Sequence, residues 1–428
     1  MRRFAAVGLL TVGLMLAGCG APSEPEPVRT DDAPAPDEGR ELPGLAVGET
    51  QIGDEGEYRE SLLGAVGLED GRLVVSSFST DDGEELDAYD SATGELSWQL
   101  TASETEHLVS SAGLGEGRLD FSSVVVGPES VFVGYDATRC GDAAGDECAD
   151  GEDEGARQSG VVALDPADGT PLWGAPVVPD HVDGIIDRTA SIDVVDASAE
   201  VVLANVRGEG SEDGERVDVA VGLDSRTGHV LWAQQDLVAA FVEGDVVGVS
   251  SGSPSSPEDA VLGGLDAGSG ERLWTVGDGE TGMWAVDGHP RDRLAAAFLP
   301  AGELIDLHTG EIITAPNAPK PMLPQFGRAE GGAFAAWAAE DDATVLYSVD
   351  DGGEVIRGGT ALENGIVQAA GDDGYIWVAS DDRKTSVAVD RTGAVRSEPL
   401  AGRLLALAEG IVVTISDDTI RLRPYAAD

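Results

Sequence analysis

Short apolar runs alternate with polar, glycine-rich connections along almost the whole chain, the pattern expected of β-strands joined by tight turns. Arg72-Leu-Val-Val-Ser-Ser-Phe78, Ser130-Val-Phe-Val-Gly-Tyr135, Asp245-Val-Val-Gly-Val249 and Tyr375-Ile-Trp-Val-Ala379 are clear examples. No segment carries a convincing helical period, so no helix is expected to interrupt the strands.

One motif recurs between these runs. Four segments align without a gap on small-x-Asp-x-x-(Thr/Ser/Asp)-Gly-x-x-x-Trp: Asp90, Gly94 and Trp98; Asp165, Gly169 and Trp173; Asp224, Gly228 and Trp232; Asp266, Gly270 and Trp274. Each reads as a hairpin. The aspartate caps backbone N–H groups two or three residues on. The glycine supplies a left-handed conformation. The tryptophan on the following strand offers a large apolar surface for a neighbouring sheet. Weaker copies follow at Asp306 with Gly310, Asp350 with Gly353 and Asp390 with Gly393, without the tryptophan; in the last two the turn is one residue shorter.

From Asp224 onward the aspartates recur every 40 to 44 residues, the length of one four-stranded propeller blade. The wider spacings, 75 residues from Asp90 to Asp165 and 59 from there to Asp224, require insertions. The first insertion is an acidic loop at 139–158. The chain is therefore expected to be an all-β propeller spanning residues 45–428. Eight blades are favoured and seven are the alternative, because Arg403 to Tyr425 adds strands without a closing turn. Leu45 to Gln51 is a candidate for the missing strand, since a ring leaves no free edge when both chain ends share a blade.

The N-terminus reads differently. Arg2 and Arg3 precede an apolar run from Phe4 to Leu16, a signal-peptide pattern too short for a permanent membrane span. Leu16-Ala17-Gly18-Cys19 resembles the bacterial lipobox, which implies cleavage after residue 18 and acylation of Cys19; two or more acyl chains make a stable anchor. Residues 19–44 are rich in Pro, Glu, Asp and Ala and are expected to form a disordered tether. The remaining cysteines, Cys140 and Cys148, lie in the acidic loop. In an exported protein they suggest a local disulfide, and a metal site is disfavoured because no histidine lies near them.

Charge narrows the function. There are 80 acidic and 26 basic residues, a formal net charge of −54, which argues against nucleic-acid binding. No stretch follows the calcium-loop pattern, so no metal is expected. His107, His181, His229, His289 and His308 are scattered, no Gly-x-Ser-x-Gly elbow occurs, and Trp284, Trp337 and Trp377 lie in strands away from the Asp-Gly turns.

The repeat resembles the tryptophan-docking motif of the pyrroloquinoline-quinone (PQQ)-like propeller superfamily, over roughly residues 45–425. That resemblance implies the fold far more than an activity. The superfamily's dehydrogenases bind PQQ and calcium and commonly carry a vicinal cysteine pair, which this chain lacks. The lipobox and the length are closer to its lipid-anchored, non-catalytic branch, which includes the scaffold lipoprotein of outer-membrane β-barrel assembly. Arginine preferred over lysine, with a long acidic tether, resembles an actinobacterial lipoprotein. The expectation is a non-enzymatic, monomeric scaffold without cofactor, held at the extracytoplasmic face of the cell membrane and binding an envelope protein or peptide. The alternatives are a PQQ- and calcium-dependent oxidoreductase and a cation- or glycan-binding lipoprotein.

Overall fold

The computed structural model describes residues 44–52, 63–69, 71–79, 83–111, 114, 116–139, 156–178, 190–210, 216–251, 261–276, 283–284, 294–298, 303–313, 325–329, 332–338, 343–349, 355–363, 366–370, 374–380, 384–390, 392–408 and 410–427. Residues 1–43, which include the expected signal peptide, Cys19 and most of the expected tether, and Cys140, Cys148, Asp350 and Gly353 lie outside these residues.

Among the described residues antiparallel pairing organises the strands into eight sheets, numbered in chain order. Sheet 1 comprises Leu63–Glu69, Arg72–Ser79, Gly83–Asp90 and Leu96–Thr101, side by side in sequence order. The same meander repeats within 116–178, 191–235, 237–276, 283–313, 325–363 and 366–401, which are sheets 2 to 7. Sheet 8 consists of Arg403–Ala408, Ile411–Ser416 and Thr419–Ala427. Its outer position is filled from the other end of the chain. Leu45 pairs with Ala427 and Val47 with Tyr425, and after Gly48 and Glu49, Thr50 pairs with Leu422 and Ile52 with Ile420.

The core is a series of clusters between sheets. Val74, Leu86 and Trp98 of sheet 1 pack on Leu119, Val133 and Val162 of sheet 2. Val161 and Val177 of sheet 2 pack on Val202 and Val221 of sheet 3, and sheets 3 and 4 meet through Leu203, Trp232, Val247 and Leu265. Leu73 and Tyr89 of sheet 1 meet Val413, Ile415 and Leu422 of sheet 8, which joins the two ends of the series. Dividing the apolar area this way makes sheets 1 to 4 each depend on both neighbours, the arrangement of a β-propeller.

The innermost strands bulge in sheets 1, 2, 3, 4, 7 and 8, for example between Val194 and Asp196 and between Ala239 and Phe241. A bulge sharpens the local twist of a strand. Beside the bulge of sheet 4, the buried Asn205 of sheet 3 accepts from Ala239 N–H (2.8 Å) and donates to its carbonyl (2.9 Å). The carboxylate of Asp196 accepts from Val242 N–H at 2.8 Å.

One element departs from the sequence reading. Ala102–Ser111 is an α-helix between sheets 1 and 2. Its start carries the carboxylate half of a capping box. The Glu104 carboxylate accepts from both the backbone N–H and the hydroxyl of Thr101, each at 2.9 Å. Leu108 and Val109 are buried with Trp98 and Leu119, so tertiary packing holds a helix whose sequence has little periodicity.

Candidate functional site

The recurring polar and aromatic residues converge at the junctions between sheets. In each turn the aspartate closes the hairpin. Asp90 Oδ1 accepts from Ala92 N–H (3.0 Å), Thr93 N–H (2.8 Å) and the Thr93 hydroxyl (3.0 Å). Asp224 does the same with Arg226 and Thr227, and Asp266 with Ser269. At the second turn Asp165 takes Ala167 N–H, while Asp168, standing where the others have a hydroxyl, takes the N–H and hydroxyl of Thr170.

The following glycine has a positive φ: 74° at Gly94, 72° at Gly169, 70° at Gly228 and 69° at Gly270. Its N–H returns to the aspartate carbonyl at 2.7–2.9 Å. Asp306 with Gly310 forms the same turn, so this copy is intact despite lacking its tryptophan. At Asp390 the turn is one residue shorter. Gly393 N–H donates to the Asp390 carbonyl three residues back (2.8 Å), and Asp390 N–H donates to Ala394 O (3.0 Å).

Each tryptophan docks on the turn of the next sheet. The indole N–H of Trp98 donates to Pro166 O (2.9 Å), Trp173 to Ser225 O (3.0 Å), Trp232 to Ala267 O (2.8 Å) and Trp274 to Leu307 O (2.6 Å). In every case the acceptor is the residue after the aspartate. The ring then covers that turn's glycine. A Cβ would lie 3.0 Å from the Trp98 ring at Gly169, 2.5 Å from Trp173 at Gly228, 2.6 Å from Trp232 at Gly270 and 2.7 Å from Trp274 at Gly310. The glycine thus serves both φ and contact. The small residue that opens the motif is explained too. Ala88, Gly222 and Gly264 sit directly across the ladder from Trp98, Trp232 and Trp274, and a Cβ at Gly222 or Gly264 would enter the indole at 2.3 Å.

These carboxylates are committed to structure. Hydrogen bonds from Thr93 hold Asp90 below the usual carboxylate range, those from Thr170 lower Asp168, and the Thr227 hydroxyl leads the lowering of Asp224. Asp390 is the buried case. Burial pushes its pKa up, but hydrogen bonds from Thr392 and the Arg396 guanidinium at 2.6 Å outweigh that and leave it lowered. None of the four is poised near neutrality for proton transfer.

Among the described residues no three His, Cys, Asp or Glu converge on a candidate metal position. His229 and His308 are exposed on separate turns. His107 lies in the helix, and His181 and His289 fall outside the described residues. Trp377 is fully buried in sheet 7 against Tyr425 (ring centroids 5.7 Å apart) and is a core residue. Trp284 and Trp337 lie in strands. The chain's cysteines, Cys19, Cys140 and Cys148, are not vicinal.

The two ends of the sheets differ. At one end lie the Asp-Gly turns and the connections between first and second strands, cross-bonded by Ser91 N–H to Gly71 O, Ser225 N–H to Glu200 O and Ala267 N–H to Asp245 O. The connections at the other end vary in length, from 80–82 in sheet 1 to 140–155 in sheet 2 and 252–260 in sheet 4. The helix also leaves from this end.

Residues 157–316 match the family model described as PQQ_2, outer membrane protein assembly factor BamB. A search of the curated proteins finds no match. Among solved structures the chain is similar to BamB from Moraxella catarrhalis, with 12% identity, 89% of this chain and 97% of that chain covered, and a TM-score of 0.50. It is also similar to the computationally designed Ika8 protein (12% identity, 88% and 100% covered, TM-score 0.51) and to the WD40 domain of SCAP from fission yeast (10% identity, 88% and 98% covered, TM-score 0.51). At such identities the likeness speaks for the fold alone. Three of the four docking tryptophans, Trp173, Trp232 and Trp274, lie in the matched region, and the chain is a β-propeller with PQQ-like repeats over that stretch.

Proposed function

We propose that this protein is a non-catalytic propeller scaffold, anchored through an acylated Cys19 at the extracytoplasmic face of the cell membrane, which holds a protein or peptide partner. The observation that carries this reading is how the repeated residues are used. Their carboxylates, glycines and indoles hold the sheets together, while the longest connection within a sheet, 140–155, leaves from the end opposite the Asp-Gly turns. A rigid body that varies only in its connections is suited to binding. The likeness to BamB supports a scaffold role at the level of fold.

Cross-linking in intact cells, followed by identification of the adducts, tests the partner. Recovery of one neighbour above background, abolished by shortening 140–155, is expected; no neighbour above background would sink the reading. Cys19→Ala is expected to release the protein into the medium, and retention in the membrane fraction would refute the anchor.

A further inference from the structure

Four junctions, from sheet 1 through sheet 5, are closed by a tryptophan. The junction from sheet 8 to sheet 1 is built differently. Thr50 and Ile52 stand where a tryptophan would dock, and a Cβ on Gly94 would lie 2.7 Å from Thr50 Cγ2 and 3.2 Å from Ile52 Cδ1. Among the described residues no indole bridges this seam.

Residues 45–52 touch three sheets. Leu45 N–H donates to Arg396 O of sheet 7 at 2.6 Å, and its side chain packs with Trp377 and Leu400. The backbone pairs with Thr419–Ala427 of sheet 8. Ile52, fully buried, packs on Leu73 and Tyr89 of sheet 1. Between these anchors Glu49 faces Arg421 (3.2 Å) and Arg423 (2.6 Å). Arg423 is buried, and its remaining donors reach Thr414 Oγ1 (2.9 Å) and Ala401 O (3.1 Å). Gly48 N–H donates to Pro424 O, and a Cβ there would meet the Pro424 ring at 3.2 Å.

The edge of Thr419–Ala427 therefore reads an extended segment by chemistry. It takes an apolar side chain at each end, a glycine beside Pro424 and a carboxylate opposite two arginines, in a chain of net charge −54. The segment itself is weakly held. Its ladder is two runs of three residues interrupted at Gly48 and Glu49, and Glu49 is half-exposed, so solvent screens its ion pairs.

We propose that residues 45–52 form a detachable clasp, and that the edge it covers is a peptide-binding groove whose occupant is this segment. The clasp opens while sheets 1 to 7 stay folded, and the groove takes back the same eight residues supplied in trans.

Hydrogen exchange on the full chain tests the first part. Amides in 45–52 are expected to be at least about 100-fold less protected than those in Val201–Glu209, and Glu49→Lys to lower their protection by a further factor of about ten. Equal protection in the two segments, or an equal effect of Glu49→Lys on both, would overturn the clasp. For the groove, a fluorescent Leu-Ala-Val-Gly-Glu-Thr-Gln-Ile peptide is expected to bind the Glu49→Lys chain saturably. The same peptide with lysine in place of glutamate is expected not to bind. Failure of the first peptide, or equal binding of both, would overturn the groove.

Discussion

At the residue scale the docking motif makes separable predictions. Trp232→Ala removes a buried indole and its bond to Ala267, and is expected to cost about 3–5 kcal/mol in chemical denaturation. Gly270→Ala and Gly244→Ala both place a side chain at positive φ, 69° and 58°, which alone costs about 1–2 kcal/mol. Only Gly270 lies under an indole, whereas nothing lies within 4 Å of a Cβ at Gly244. Gly270→Ala is therefore expected to be the more damaging, and equal losses would refute the contact role of the glycine. Asp390 carries the pH dependence. Its folded pKa is lowered, so its contribution is present above the unfolded carboxylate value, about 4. That contribution is lost as pH falls through the folded value. Denaturation between neutral pH and about pH 3 is expected to show a steeper loss for the wild type than for Asp390→Asn; parallel curves would remove Asp390 from the account.

At the scale of elements, the hairpins were legible because each depends on residues within nine positions of one another. Asp90 to Trp98 contains both the cap and the docking side chain. The helix at Ala102–Ser111 was missed because its signal is a four-residue cap, Thr101 to Glu104, followed by the buried apolar pair Leu108 and Val109. The capping box was readable in the sequence; the surface that covers Leu108 was not. Glu104→Ala is expected to destabilise the helix by about 1 kcal/mol, seen as faster amide exchange confined to residues 102–111. The polar staples Asn205 and Asp196 left no signal either. Their partners, Ala239 and Val242, lie on the adjacent sheet and offer only backbone atoms.

For the whole molecule, charge and closure dominate. A net charge of −54 places the folded state under self-repulsion, which salt screens beyond a Debye length of about 8 Å at physiological ionic strength. The melting temperature is expected to rise between low salt and about 0.5 M NaCl; a fall would show that local ion pairs such as Glu49 with Arg423 outweigh the long-range repulsion. Closure rests on pairing between residue 45 and residue 427. The expectation of a shared terminal strand named the right stretch of chain, but not the means. Thr50 and Ile52 replace the indole, and Glu49 engages two arginines that nothing in the local pattern marks.

The sequence by itself determined the repeat, its hairpin and the propeller class. Those follow from backbone chemistry over a few residues: an aspartate that satisfies N–H groups, a glycine free to take positive φ, and an indole with one donor to place. Only the tertiary structure decided where each indole goes, why the motif begins with a small residue, and how the ring's ends meet. These depend on atoms from the next sheet or the far end of the chain, brought within contact only when the sheets pack together.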